Sequence, residues 1–117
     1  MNKIIIVLLI FLLSCRKENL LRQVRIEYEI TSTSSSPAII WWANKDEIIQ
    51  NSFFYVPWSY GFAVYKPFTA IIVASVSANE GDTITVIIRA DGIETARVSE
   101  IAPIGGDVYI EIQQIIK

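Results

Sequence analysis

From residue 23 to residue 31 the chain alternates without a break. Val24, Ile26, Tyr28 and Ile30 lie on one side, and Arg25, Glu27, Glu29 and Thr31 on the other. A period of two is the pattern of an extended strand with one buried face. No later segment sustains a helical period, so the chain is constrained to strands and turns throughout. Residues 32–37 read as a polar loop that ends in Pro37, a residue unfit for a central strand. Residues 38–43 form a short apolar strand, which 44–47 turns back into 48–55. Pro57 interrupts, and Trp58 opens a new segment with strands at 59–65 and 68–78.

Asn79-Glu80-Gly81-Asp82 reads as a hairpin turn into 83–90, with Ile84, Val86 and Ile88 inward. Asp91-Gly92 is the strongest hairpin signal, because a type I′ turn needs positive φ twice and this pair tolerates it. Residues 93–101 return, 103–107 loop, and 108–116 close the domain. Seven to eight short strands with turns at this spacing predict an all-β fold: an antiparallel two-sheet immunoglobulin-like β-sandwich. A small barrel is the runner-up.

Cysteine usage decides what holds such a sandwich together. The single cysteine, Cys15, excludes an internal disulfide, so the domain depends on packing. Cys15 ends a segment of its own kind. Lys3 supplies a basic start, and residues 4–13 are an unbroken apolar run. The run is shorter than the about 20 residues of a spanning helix and fits the roughly 7–15 of a signal peptide. Leu12-Leu13-Ser14-Cys15 resembles the lipobox of bacterial lipoproteins. That resemblance implies a diacylglycerol on the Cys15 thiol, cleavage before it, and acylation of the new amino terminus, usually by palmitate. Two or more acyl chains anchor stably where one does not. The plainer alternative is an ordinary secretory signal with an incidental cysteine. Position 16 is Arg, not the Asp that retains lipoproteins at the enterobacterial inner membrane, so the expected location is the outer membrane, on its periplasmic or its surface side.

The expected organisation is therefore a signal peptide over 1–14, a lipid-anchored tether over 15–23 and a sandwich over 24–117. The 117 residues less the first 14 leave 103, one domain of ordinary size. Seven residues separate Cys15 from Gln23, a reach of about 25 Å when fully extended.

Charge and composition exclude several functions. Without Lys3 the 10 basic residues become 9 against 12 acidic ones, with no basic cluster, which argues against nucleic-acid binding. The absence of histidine removes Ser-His-Asp and Cys-His catalysis and the commonest metal ligand. Asp46-Glu47 and Glu80/Asp82 are acidic turns, too few in oxygen ligands for the about six or more that calcium takes. Glu27 and Glu29 are neighbours on one strand face beside Arg25, with nothing to build a cleft around them. No enzyme, cofactor or metal is expected.

The aromatic residues are concentrated instead. Ten of the twelve after Cys15 fall between Trp41 and Phe68. Neighbours such as Trp41-Trp42 and Phe53-Phe54 point to opposite sides of a strand, so some of these rings lie outside the core. Trp41, Trp42, Phe53, Phe54 and Tyr60 are the candidate partner-binding residues, because exposed aromatic area marks contact sites. The alternative is that long side chains or loops cover the outer rings. Trp58, next to Pro57 where a strand enters the core, is assigned to structure.

Val56-Pro57-Trp58-Ser59 and the run from Gly81-Asp82-Thr83 to Asp91-Gly92 resemble the MmpS family of mycobacterial membrane proteins, as does the Val24–Ile30 strand in style. The resemblance spans residues 24–115 in order, and the chain looks like the lipid-anchored members found in Bacteroidetes. It implies a soluble β-sandwich and a non-enzymatic accessory role beside a large resistance-nodulation-division transporter. Two features depart from the family: a lipobox replaces the transmembrane anchor, and the cysteine pair associated with mycobacterial members is missing. Two functions are expected in consequence. The first is an envelope lipoprotein serving as an accessory or assembly subunit of a transport complex. The second is a surface-exposed adhesion module that binds glycan or protein.

Overall fold

β-branched residues and alternation set the strands, and the register between them sets the layers. The computed structural model describes residues 22–117; the expected signal peptide, Cys15 and the tether up to residue 21 lie outside the described residues. Eight strands follow in order: β1 Gln23–Ser32, β2 Ser36–Ala43, β3 Ile49–Val56, β4 Trp58–Tyr65, β5 Phe68–Ser77, β6 Thr83–Ala90, β7 Ile93–Ile101 and β8 Asp107–Ile116. They form two antiparallel four-stranded sheets, a first of order β4-β1-β6-β7 and a second of order β3-β2-β5-β8. The sheets stay separate, so the fold is a sandwich and not the runner-up barrel.

Alternation places the core between them. Val24, Ile26, Tyr28 and Ile30 of β1 and Ile84, Val86 and Ile88 of β6 are buried from the first sheet. Ala38, Ile40 and Trp42 of β2, Ala70, Ile72, Ala74 and Val76 of β5, and Val108, Ile110 and Ile112 of β8 meet them from the second. At roughly 25 cal/mol per Å² of apolar area removed from water, burial on this scale supplies the main stabilisation of a domain without a disulfide.

Two connections stay within a sheet. The β6–β7 turn has φ of 51° at Asp91 and 77° at Gly92, the paired positive values of a type I′ hairpin. The β2–β3 turn places Glu47 at φ 59°. There the Asn44 side chain accepts from the Asp46 and Ile48 amides at 2.9 and 3.1 Å.

The remaining connections cross between the sheets, and one of these corrects the sequence reading. Residues 79–82 do not close a hairpin, because β5 and β6 lie in different sheets. The residues still turn tightly, with the Asp82 amide donating to the Asn79 carbonyl at 3.0 Å, but the turn carries the chain across the core. Pro37 also falls inside β2 and not in the loop before it. It pairs with Tyr55 of β3, and the ladder with β5 begins one residue later at Ala38, so on that side no partner needs its missing N–H.

The outer faces of the two sheets differ in chemistry. On the first sheet, Arg25 lies 3.6 Å from Glu27, Arg89 is 3.3 Å from Glu29, and Arg97 is 2.7 Å from Glu94. This face is a solvated ladder of ion pairs. The strands of the second sheet contain no Lys or Arg, and Asp107 and Glu111 are their only charged residues.

Candidate functional site

The register of the second sheet builds an apolar outer face. β2 sends Ala38, Ile40 and Trp42 inward, so Pro37, Ile39 and Trp41 point out. On β3, Phe53 pairs with Ile39 and Asn51 with Trp41. On β5, Val73 pairs with Trp41 and Ser75 with Ile39. On β8, Glu111 pairs with Val73 and Tyr109 with Ser75. Paired residues share a face, so one row runs Asn51–Trp41–Val73–Glu111 and the next Phe53–Ile39–Ser75–Tyr109. Phe53 is 57 % exposed, and Ile39, Ile49, Tyr55 and Tyr109 also stand in solvent. A shallow depression of about 410 Å³ lies among Trp41, Ile49, Ile71, Val73 and Tyr109. Exposed aromatic and aliphatic side chains gathered on one face in this way mark a surface for a partner.

The candidate residues divide between this face and the seam of the sandwich. Trp41 and Phe53 are on the face. Trp42 and Phe54 turn inward, Trp42 being 8 % exposed, and join Trp58 and Tyr60 where the edge strands β3 and β4 flank the core. Ring centroids are 5.4 Å apart for Trp42–Trp58, 5.8 Å for Trp42–Phe54 and 5.6 Å for Trp42–Tyr60. Tyr60 stacks parallel to Trp58 at 6.2 Å and closes the outer rim of the cluster, 40 % exposed. Trp58 itself is half-buried and packs against the core, the position of a structural residue. The Trp42 indole N–H is buried and has no hydrogen-bond acceptor among the described residues. It is enclosed by rings, which satisfy it only weakly.

Tyr55, Tyr109, Ile71 and Val73 belong to the outer face but are absent from the sequence-derived set. Tyr109 carried a signal, since it breaks the apolar-in, polar-out alternation of β8. Ile71 and Val73 carried none, because β5 is apolar on both sides.

The acidic turns hold the scaffold together. The Asp82 carboxylate accepts hydrogen bonds from the Ser34 and Thr33 hydroxyls and the Asn79 amide. The Ser34 hydroxyl, then the Asn79 amide, draw its pKa below the usual carboxylate range. This ties the serine loop to the β5–β6 crossover. The Glu47 carboxylate accepts from the Thr69 amide at 3.1 Å. Glu27 and Glu29 are each beside an arginine. Among the described residues no three metal-ligating side chains converge. What the arrangement offers chemically is an aromatic and aliphatic contact surface, with Asn51, Ser75, Glu111 and Gln113 as polar handles within it. No family model matches the chain, and no curated protein matches it.

Proposed function

We propose that this chain is a non-enzymatic lipoprotein of the bacterial cell envelope, anchored through Cys15, whose MmpS-like sandwich docks onto a protein partner in a transport or envelope complex. One observation carries the reading: the outer face of β3-β2-β5-β8 is apolar and free of cations, whereas the opposite face is a ladder of ion pairs. A freely solvated domain gains nothing from that asymmetry, and an accessory subunit needs one adhesive face and one wet face. Trp41, Phe53 and Tyr55 are the anchors that such an interface would use.

The glycan-binding alternative is less well served by this face. Sugars stack on coplanar rings, and Phe53 and Tyr55 meet edge to face at 87°. Few hydrogen-bonding groups surround them to read hydroxyls.

The test is photo-crosslinking from position 53 in intact membranes, followed by identification of the adduct. An envelope transporter or assembly protein cross-linked from 53, and not from position 25 on the charged face, is the expected result. Equal, diffuse labelling from both faces would refute the docking role. Replacing Cys15 with Ser and following radiolabelled palmitate tests the anchor separately.

A further inference from the structure

We propose that the end of the sandwich where the tether enters rests on an anionic lipid surface, so that the strands stand across the membrane plane with the opposite end farthest from it. The inference rests on the reading of Cys15 as the lipid anchor and adds an orientation and a surface to it.

Chain connectivity and register define the two ends. β1 starts beside the end of β4, with Gln23 paired to Tyr65. The Asp91-Gly92 turn, Lys66-Pro67, the β2–β3 turn and the end of β8 gather at the same end. Lys66, Asp91, Ile93, Ile115 and Lys117 together line a groove of about 310 Å³ there. All three lysines of the described residues, Lys45, Lys66 and Lys117, are at this end, with Arg22 beside them. None of the three lysines pairs with a carboxylate among the described residues.

The carboxylates at this end are Asp46, Glu47, Asp91 and Glu94, and three are already engaged, Glu94 by the Arg97 guanidinium at 2.7 Å. Asp91 accepts from the Arg25 amide at 2.9 Å and lies 3.8 Å from the Arg22 guanidinium. Glu47 holds the Thr69 amide. Between the cations stand exposed apolar groups: Tyr65, Ile93 at 70 % and Ile115. Lysines around exposed aliphatic and aromatic side chains suit the boundary between phosphate headgroups and acyl chains.

The far end has the opposite character. Its loops, residues 33–35, 78–82 and 102–106, and the strand ends beside them carry Glu80, Asp82, Glu100 and Asp107 and no Lys or Arg. An anionic surface repels that end and attracts the other. The tether from Cys15 to Gln23 reaches only about 25 Å when extended, which keeps the basic end within reach of the headgroups. In this orientation the apolar sheet face points sideways, parallel to the membrane plane, toward neighbouring membrane proteins.

The test uses full-length protein in vesicles of phosphatidylcholine with phosphatidylglycerol, including brominated phosphatidylcholine as a quencher. Ile93→Cys and Ile104→Cys variants are labelled with an environment-sensitive fluorophore; Ile104 is 87 % exposed at the far end. Strong quenching from position 93 and little from 104 is expected. The difference should shrink in a K66E/K117E double variant and in phosphatidylcholine alone. Equal quenching at both positions, or a difference indifferent to lipid charge, overturns the proposal. The anchor is read independently from the intact mass: a lipidated Cys15 leaves one thiol to label, and an unlipidated one leaves two. In the second case Cys15→Ser versions of both variants give the same comparison of ends without the anchor.

Discussion

The Tyr28 hydroxyl donates a hydrogen bond to the carbonyl oxygen of Ala43 at 2.8 Å, reaching from β1 in one sheet to the end of β2 in the other. It also accepts from the Ile71 amide of β5 at 3.3 Å. The β2–β5 ladder ends at the pair Trp42–Ile72, so Ala43 and Ile71 are the groups that would have bonded next. The hydroxyl stands in the gap and satisfies both. Burial pushes its pKa well above the ordinary tyrosine value, which keeps it protonated and able to donate. The side chain thus fills the core and mends a break in the sheet opposite.

Replacing Tyr28 with Phe keeps the ring and removes the bridge. Ala43 and Ile71 are left with buried, unpaired backbone groups, a cost of about 1–3 kcal/mol. Urea denaturation should show a lower midpoint at unchanged slope. Hydrogen exchange at Ile71 should accelerate more than at Ile72. An unchanged midpoint would mean that water replaces the hydroxyl.

Asp82 predicts a pH dependence. Its folded pKa is depressed below the unfolded value by the Ser34 hydroxyl and the Asn79 amide. Its contribution is therefore complete above the ordinary carboxylate range and is lost as pH falls through the folded pKa. Thermal midpoints of the wild type should drop more steeply on acidification than those of Asp82→Asn. The two curves should converge at low pH, where the protonated Asp82 is as neutral as the amide that replaces it. Parallel curves would show that the hydrogen bonds from Ser34 and Thr33 add no stability.

Two glycines with similar backbones should respond differently to Ala. Gly81 and Gly106 have φ of 86° and 81°. A Cβ on Gly81 meets open space, so Gly81→Ala should cost only the left-handed strain of about 1–2 kcal/mol. A Cβ on Gly106 would run into the Ala78 carbonyl oxygen, which is backbone. The Ala78 amide is itself bonded to the Gly106 carbonyl at 3.0 Å, so neither segment can withdraw without breaking the other. Gly106→Ala should cost clearly more than Gly81→Ala in parallel melts.

What the sequence revealed follows from how local each signal is. β6 and β7 and the turn between them were readable to the residue, because Asp91-Gly92 encodes its own positive φ. The 79–82 turn was readable as a turn but not as a crossover. Its residues fix a local bend, and whether the strands it joins share a sheet depends on β1 and β8, far away in the chain. The aromatic pairs behave similarly. Alternation requires Trp41 and Trp42 to face opposite ways, but only the position of β2 beside β5 decides which one is buried. The Tyr28 bridge had no sequence signature, since it depends on where another sheet's ladder stops.

That division of Trp41 from Trp42 yields the prediction that separates function from folding. Trp42 fills the seam beside Phe54, Trp58 and Tyr60, so Trp42→Ala should destabilise the domain by about 3–5 kcal/mol. Trp41 lies across the outer face beside Val73 and Ile49, and Phe53 is largely in solvent. A W41A/F53A double variant should keep a melting midpoint within a few degrees of the wild type, while recovery of the envelope partner, cross-linked in this comparison from position 109 on the same face, falls at least about tenfold if these are interface anchors. Because the unfolding measurement and the partner measurement use the same purified membranes, the two effects can be compared directly. A double variant that melts early and also loses the partner would place these rings in the fold; one that stays stable and keeps the partner would move the docking surface away from this sheet.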